Sequence, residues 1–240
     1  MEDYKVLFRG FHDGGNQAVA LASFIAGLLQ AAVAKRGYAS MVVSGGSTPV
    51  SFFKALSFED IPWRQVIVTL ADERWVDPSD SASNEGLVRM HLLRNRAAAA
   101  KFIGLRTEEN TALAGEPSCE KRVSSIPRPF DVVVLGMGGD GHTASFFPGA
   151  VNLPMATDMN SGRLCLAVTP AAAPHDRMTL TLPALLDCRE MILHITGKDK
   201  LHVFEKALAV QPVSEEVLNE MPIRHVLAKA RESVTVFWAP

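Results

Sequence analysis

Seven short apolar runs, separated by helical patterns and polar loops, limit what this chain can fold into. They are KVLFRGF (5–11), SMVVSG (40–45), QVIVTLAD (65–72), DVVVLG (131–136), RLCLAVT (163–169), MILHITG (191–197) and VTVFWA (234–239). Most are continuously apolar rather than alternating, the pattern of strands buried on both faces. Helical patterns lie between them at 16–35, 49–56, 84–94, 183–188 and 199–209. This alternation along the whole length predicts an α/β fold with a mostly parallel sheet flanked by helices. No internal repeat or low-complexity tract interrupts it, so residues 1–240 read as a single domain. Segments 106–129 and 149–162 are polar or marked by Pro and Gly and read as loops, as does AAAPHD (171–176).

Composition narrows the function classes. A formal net charge of -2 argues against a general nucleic-acid binder, yet it leaves room for a local cationic pocket. Cys119, Cys165 and Cys188 are odd in number and widely spaced, without a C-x-x-C, which fits reduced structural thiols in a cytoplasm. No His, Asp or Glu pair stands at metal-ligand spacing, so no metal is expected. The opening MEDYKVLFRGFHD lacks the apolar core of a signal peptide. The apolar stretch 17–34 is Ala-rich. Its large side chains Leu21, Phe24, Ile25, Leu28 and Leu29 fall on one helical face, as in a soluble helix rather than a membrane span.

In parallel sheets, ligands sit beyond the carboxyl ends of the strands, so the residues there carry the functional information. After the run at 40–45 comes SGGSTP: Ser44, Gly45, Gly46, Ser47, Thr48, Pro49. The glycines let backbone approach a ligand, Ser47 or Thr48 can cap the next helix, and Pro49 suits its first position. Such a helix start is an anion site, most often for phosphate. After 65–72, Asp72, Glu73 and Arg74 crowd a strand end. The planar Arg74 fork suits a carboxylate or a developing oxyanion, and Ser83 is placed to cap a helix from Asn84. A solvated turn with an Asp–Arg pair is the plain alternative.

The stretch GMGGDGH (136–142) matches G-x-G-x-x-G literally. A dinucleotide fold needs a long crossover helix after the glycines, but Pro148-Gly149 leaves space for a single helical turn. What remains is an exposed turn that presents Asp140 and His142, with an imidazole suited to proton transfer near neutral pH. Arg177 and Lys200 are further basic candidates that would complete a phosphate cradle with SGGST. Lys200 in a first helical turn opposes the helix dipole unless an anion is near. Ser145 lies close to His142, but G-x-S-x-G is absent. His91 on a helix and His194 in an apolar strand read as packing or surface residues.

In this order, SGGSTP, DERWVDPSDSASNEGLVRMHLL, GMGGDGHTASFFPG, RMTLT and TGKDK span about residues 44–206, and the set resembles the 6-phosphogluconolactonase family. That family shares a Rossmann-like parallel sheet with the glucosamine-6-phosphate deaminases. The resemblance implies hydrolysis of 6-phospho-D-glucono-1,5-lactone in the oxidative pentose phosphate pathway. It implies no cofactor, a phosphosugar lactone as the one small-molecule partner, no nucleic acid or membrane, a cytoplasmic location, and a monomer or small homo-oligomer. His142 would be the general base and Arg74, or glycine-turn N–H groups, the oxyanion donor. Asp140 or Asp72 would orient the imidazole. Ser44, Gly45, Gly46, Ser47, Thr48, Arg177 and Lys200 would bind the phosphate. The alternatives are a deaminase-like enzyme and a non-catalytic sugar-phosphate binder. Deaminases resemble DGHIAFNEP over the same turn, with Glu five residues after the His, whereas Phe147 stands there in this chain. In the second block many lactonases resemble D-E-R-x-V-P-x-x-H. Here Asp77 precedes Pro78 and Asp80 takes the His position, so no role is assigned to it.

Overall fold

The computed structural model describes residues 4–170, 174–211 and 214–240. The chain begins with β1 (Val6–Gly10), α1 (Gly14–Arg36), β2 (Ala39–Val43), α2 (Val50–Leu56), β3 (Val66–Leu70), β4 (Asp72–Arg74) and α3 (Asn84–His91). It continues with β5 (Lys101–Ile103), α4 (Ala112–Ser124), β6 (Phe130–Leu135), α5 (Leu153–Thr157), β7 (Cys165–Val168), β8 (Arg177–Leu180) and α6 (Leu182–Leu186). The last elements are β9 (Cys188–Thr196), α7 (Lys198–Leu208), α8 (Glu215–Glu220), α9 (Ile223–Lys229) and β10 (Val234–Ala239).

A seven-stranded parallel sheet runs in the order β1-β10-β9-β6-β2-β3-β5. Its inner strands β2 and β6 are buried at every position, which is why their sequences do not alternate. Helix α1 lays Leu21, Ile25 and Leu29 against this sheet. It starts where Asp13 accepts the Asn16 N–H (2.7 Å) and stops at Gly37, whose φ of 80° is a left-handed cap. The expected one-sided helix is thus a core helix.

The second sheet, β4-β8-β7, is antiparallel and small. The expected strand at 163–169 therefore belongs to this sheet and not to the parallel one. The chain passes from β3 to β4 through Ala71, which is tied on both sides: its N–H donates to Val43 and its carbonyl accepts from Leu180. That handover takes Asp72 and Arg74 out of the parallel sheet and into the antiparallel one.

Several expected loops and caps differ. Residues 106–129 contain α4, capped by Thr111. Ala112, Gly115, Glu116, Cys119 and Val123 make its buried face, and Pro117 sits on the solvent face, so the lost backbone hydrogen bond is next to water. Segment 149–162 contains the short α5. No helical turn follows His142. Instead Thr143 and Phe146 bridge across a tight turn with Ala144 at φ 47°. No side chain caps α2, and Pro49 precedes its first residue. Of AAAPHD, residues 171–173 lie outside the described residues.

Candidate active site

The chain leaves β6 at Leu135 and turns back on itself within seven residues. The Gly138 N–H donates to the His142 carbonyl (2.8 Å) and the Gly141 N–H to the Gly138 carbonyl (3.2 Å). Inside this loop Oδ1 of Asp140 meets Nδ1 of His142 at 2.6 Å and also accepts the His142 backbone N–H (3.1 Å). Burial pushes the Asp140 carboxyl up, but the backbone N–H and imidazole of His142 outweigh it, so the carboxyl sits below its ordinary range. An ionised Asp140 fixes the proton on Nδ1 and leaves the other ring nitrogen as the acceptor. The glycines now have physical reasons. A Cβ on Gly138 would lie 2.1 Å from His142 Nδ1 and 2.7 Å from Asp140 Oδ1. Gly141 sits at φ 79° against Met221, while the Ile223 N–H donates to its carbonyl (2.9 Å), so the start of α9 holds the turn from outside. Phe147 packs on the imidazole, with ring centroids 4.6 Å apart.

The Asp72–Arg74 strand supplies the next wall. Nη1 of Arg74 donates to the Ala82 carbonyl (2.6 Å) and to Oδ1 of Asn84 (2.8 Å). Glu73, fully buried, accepts the backbone N–H groups of Arg74, Asn84 and Glu85 and the Ser83 hydroxyl. Burial pushes its carboxyl up, and those four donors hold it back only in part. Glu73 thus pins the start of α3, and Ser83 caps that helix by accepting the Gly86 N–H (3.0 Å). Asp72 turns to Ser145, whose hydroxyl donates to it at 2.6 Å. The imidazole partner is therefore Asp140 and not Asp72, and Ser145 faces Asp72 rather than His142.

These walls enclose a cavity of about 250 Å³ lined by Ser44, Gly45, Gly46, Ser47, Thr48, Asp72, Arg74, Asn84, His142, His194 and Lys200, with apolar neighbours such as Pro49 and Phe53. Gly45 is needed because a Cβ there would lie 1.8 Å from Asn84 Oδ1. The Ser44 hydroxyl is buried without a partner, and the Lys200 ammonium makes no ion pair among the described residues. Lys200 Nζ reaches the glycine turn, 3.9 Å from where a Gly139 Cβ would stand. Arg177 is placed differently from the rest: it pairs with Arg74 in strand register and lies over the Phe147 ring at 6.0 Å, outside the cavity lining. Only 6% exposed, it has one Nη1 without a partner, and burial together with Arg74 lowers its pKa. Two cations side by side, one of them unsatisfied, make this corner favourable for an anion.

Sequence reasoning thus brought His142, Asp140, Arg74, Asp72, Ser44–Thr48 and Lys200 to one place. It missed Glu73 and Asn84 as organisers, whose only signal was their position at a strand end and a helix start. It also missed His194, read as packing, which lines the cavity.

Over residues 13–238 the chain matches the family described as glucosamine-6-phosphate isomerases/6-phosphogluconolactonase. The chain belongs to this family. Among its relatives, a 6-phosphogluconolactonase from Mesorhizobium japonicum is 47% identical over 97% of this chain and 95% of its own length. One from Pseudomonas aeruginosa is 43% identical over 93% and 91%. Among solved structures, a 6-phosphogluconolactonase from Shewanella baltica superposes with a TM-score of 0.93 at 48% identity, covering 98% of both chains. The family fold, a mostly parallel sheet flanked by helices, is the one described above.

Proposed function

We propose that this family member is a 6-phosphogluconolactonase. As a single-domain cytoplasmic enzyme of the oxidative pentose phosphate pathway, it would hydrolyse 6-phospho-D-glucono-1,5-lactone to 6-phosphogluconate. The observation that carries this reading is the Asp140–His142 pair opening onto a cavity that also holds Arg74, Lys200 and the Ser44–Thr48 loop. The near-full-length relatives support the same activity.

In the proposed mechanism the free ring nitrogen of His142 takes a proton from water as its oxygen attacks the lactone carbonyl. Arg74, already oriented by Ala82 and Asn84, stabilises the tetrahedral oxyanion. Collapse breaks the bond to the ring oxygen, which receives the proton from His142. Asp140 holds the imidazole throughout. Ser44–Thr48 and Lys200 bind the phosphate, with the Arg177 charge close by, so that binding away from the reacting carbon orients the lactone. A placed base contributes roughly 10²–10⁴-fold, and one oxyanion donor about 10²–10³-fold. No acyl-enzyme is needed, and Ser145 is engaged with Asp72. Amine chemistry of the deaminase kind wants an acid beside the imidazole where Phe147 packs instead.

The test is the decay of freshly generated 6-phosphogluconolactone, background subtracted, with wild-type protein and with His142→Ala. Acceleration by wild type that is lost in the variant is expected. Wild-type turnover from His142→Ala would refute the base assignment. No acceleration by folded wild-type protein would move the reading to glucosamine 6-phosphate deamination.

A further inference from the structure

We infer that His194 is a specificity residue of this cavity, donating an imidazole N–H to an oxygen of the ligand's phosphate group. The inference rests on the reading of Ser44–Thr48 and Lys200 as the phosphate site.

Residues Leu193 and Ile195 flank His194 on β9, within a strand whose centre is fully buried. His194 itself is 4% exposed, and its ring meets Phe52 of α2 edge-on, with centroids 5.9 Å apart and an interplanar angle of 82°. An aliphatic side chain would satisfy such a site without desolvating two polar nitrogens. Buried polar groups are almost always hydrogen-bonded, yet neither nitrogen of His194 forms a hydrogen bond among the described residues. The other buried histidine, His225, bonds through Nε2 to Asn219 Oδ1 at 2.8 Å and keeps only its Nδ1 without a hydrogen-bond partner, whereas His194 bonds through neither nitrogen among the described residues. His194 lines the cavity in company with Lys200 and the Ser44–Thr48 loop. Burial pushes its pKa down to about 4, so at neutral pH the ring is uncharged and carries one N–H donor and one acceptor. The other charged or titratable groups lining the cavity are Lys200, Arg74, Asp72 and His142. A phosphate oxygen is the acceptor that this donor lacks. Its hydrogen bond would add to the Lys200 charge while leaving the carbonyl-reacting groups untouched.

The experiment compares 6-phosphogluconolactone with the unphosphorylated gluconolactone in wild type, His194→Leu, His194→Gln and Lys200→Ala. In His194→Leu the KM for the phosphorylated lactone should rise roughly tenfold, with kcat held within about twofold, as expected for the loss of one hydrogen bond to a charged group. The kcat/KM for the unphosphorylated lactone should not change. His194→Gln, which keeps an N–H donor, should recover most of the loss. Calorimetric binding of 6-phosphogluconate gives the same comparison without turnover. An unchanged KM in His194→Leu, or equal losses for both lactones, would overturn the inference. If Lys200→Ala discriminates between the lactones and His194→Leu does not, His194 is packing and the phosphate reading stands. If neither discriminates, both fall. Should His194→Leu not fold, His194→Phe, which fills the space beside Phe52, carries the same comparison.

Discussion

Two groups of residues line the cavity and are built in opposite ways. The turn at 138–142 is finished: Asp140 is spent on the imidazole, the Gly138 and Gly141 N–H groups on carbonyls, and Met221, Ile223 and Phe147 press from outside. The groups at the proposed phosphate site are open: the Ser44 hydroxyl lacks a partner, and Lys200 and His194 have none among the described residues. Nearby Arg177 has one unsatisfied nitrogen. A catalytic base works best when its orientation is paid for in folding, since no reorganisation is then left for the reaction. A ligand site gains specificity from the reverse arrangement, because polar groups left unsatisfied are completed only by the right ligand. Substitutions in the finished group should therefore act on kcat, and substitutions in the open group on KM.

The largest expected break is Gly138→Ala. The added methyl overlaps both members of the pair, so the imidazole must swing out, and kcat should fall by roughly 10²-fold or more, as for removal of a placed base. Circular dichroism and thermal melting should show a folded protein. Wild-type kcat would mean that the pair is not held by this contact. Asp140→Asn comes next. It keeps the shape but loses the charge that fixes the proton on Nδ1. A kcat loss of about 10–100-fold with unchanged KM is expected, and steady-state kinetics at several pH values checks it. Lys200→Ala should leave kcat within a few-fold and raise KM about tenfold, with weaker binding of inorganic phosphate. If Lys200→Ala lowered kcat like the turn variants, the division between finished and open groups would fail.

The same contrast explains what was legible beforehand. Strand β6 was readable because burial on both faces demands continuous apolar residues, and its end marked the turn that carries Asp140 and His142. The turn's glycines were readable as close approach, but what approaches was not. Gly138 makes room for an imidazole from its own loop, not for a bound nucleotide. Helix α4 was hidden because Gly115 and Pro117 are helix-poor by propensity, and only packing explains both: Gly115 lies under Trp75, and Pro117 faces solvent. The antiparallel sheet was hidden because β4 and β8 are three and four residues long, too short for periodicity to speak. Asn84 was read only as a helix start, although it holds Arg74 and fills the space over Gly45. His194 was read as packing, since an isolated polar residue in an apolar strand looks the same whether it faces core or cavity.

The last prediction concerns stability and compares two histidines with the same perturbation. Burial lowers both His194 and His225 from the usual 6.5 to about 4, with Lys229 adding to the effect at His225. Between those values the unfolded chain binds protons that the folded chain refuses, so stability rises with pH there. It is fully present above pH 6.5 and is lost as pH falls toward 4, the loss from His194 alone reaching about 3 kcal/mol at the acid limit. Melting temperature measured from pH 7.5 down to 4.5 should fall accordingly, and His225→Gln should flatten the curve in part. Saturating 6-phosphogluconate separates the two residues. An anion beside His194 raises its folded-state pKa toward the unfolded value and shrinks its share of the acid loss, whereas His225, closed off on α9, keeps its share. The ligand should therefore flatten the curve of His225→Gln further than His225→Gln alone does. If ligand shifts the whole curve upward without changing its slope, the bound anion does not reach His194, and the open group of residues ends at Lys200.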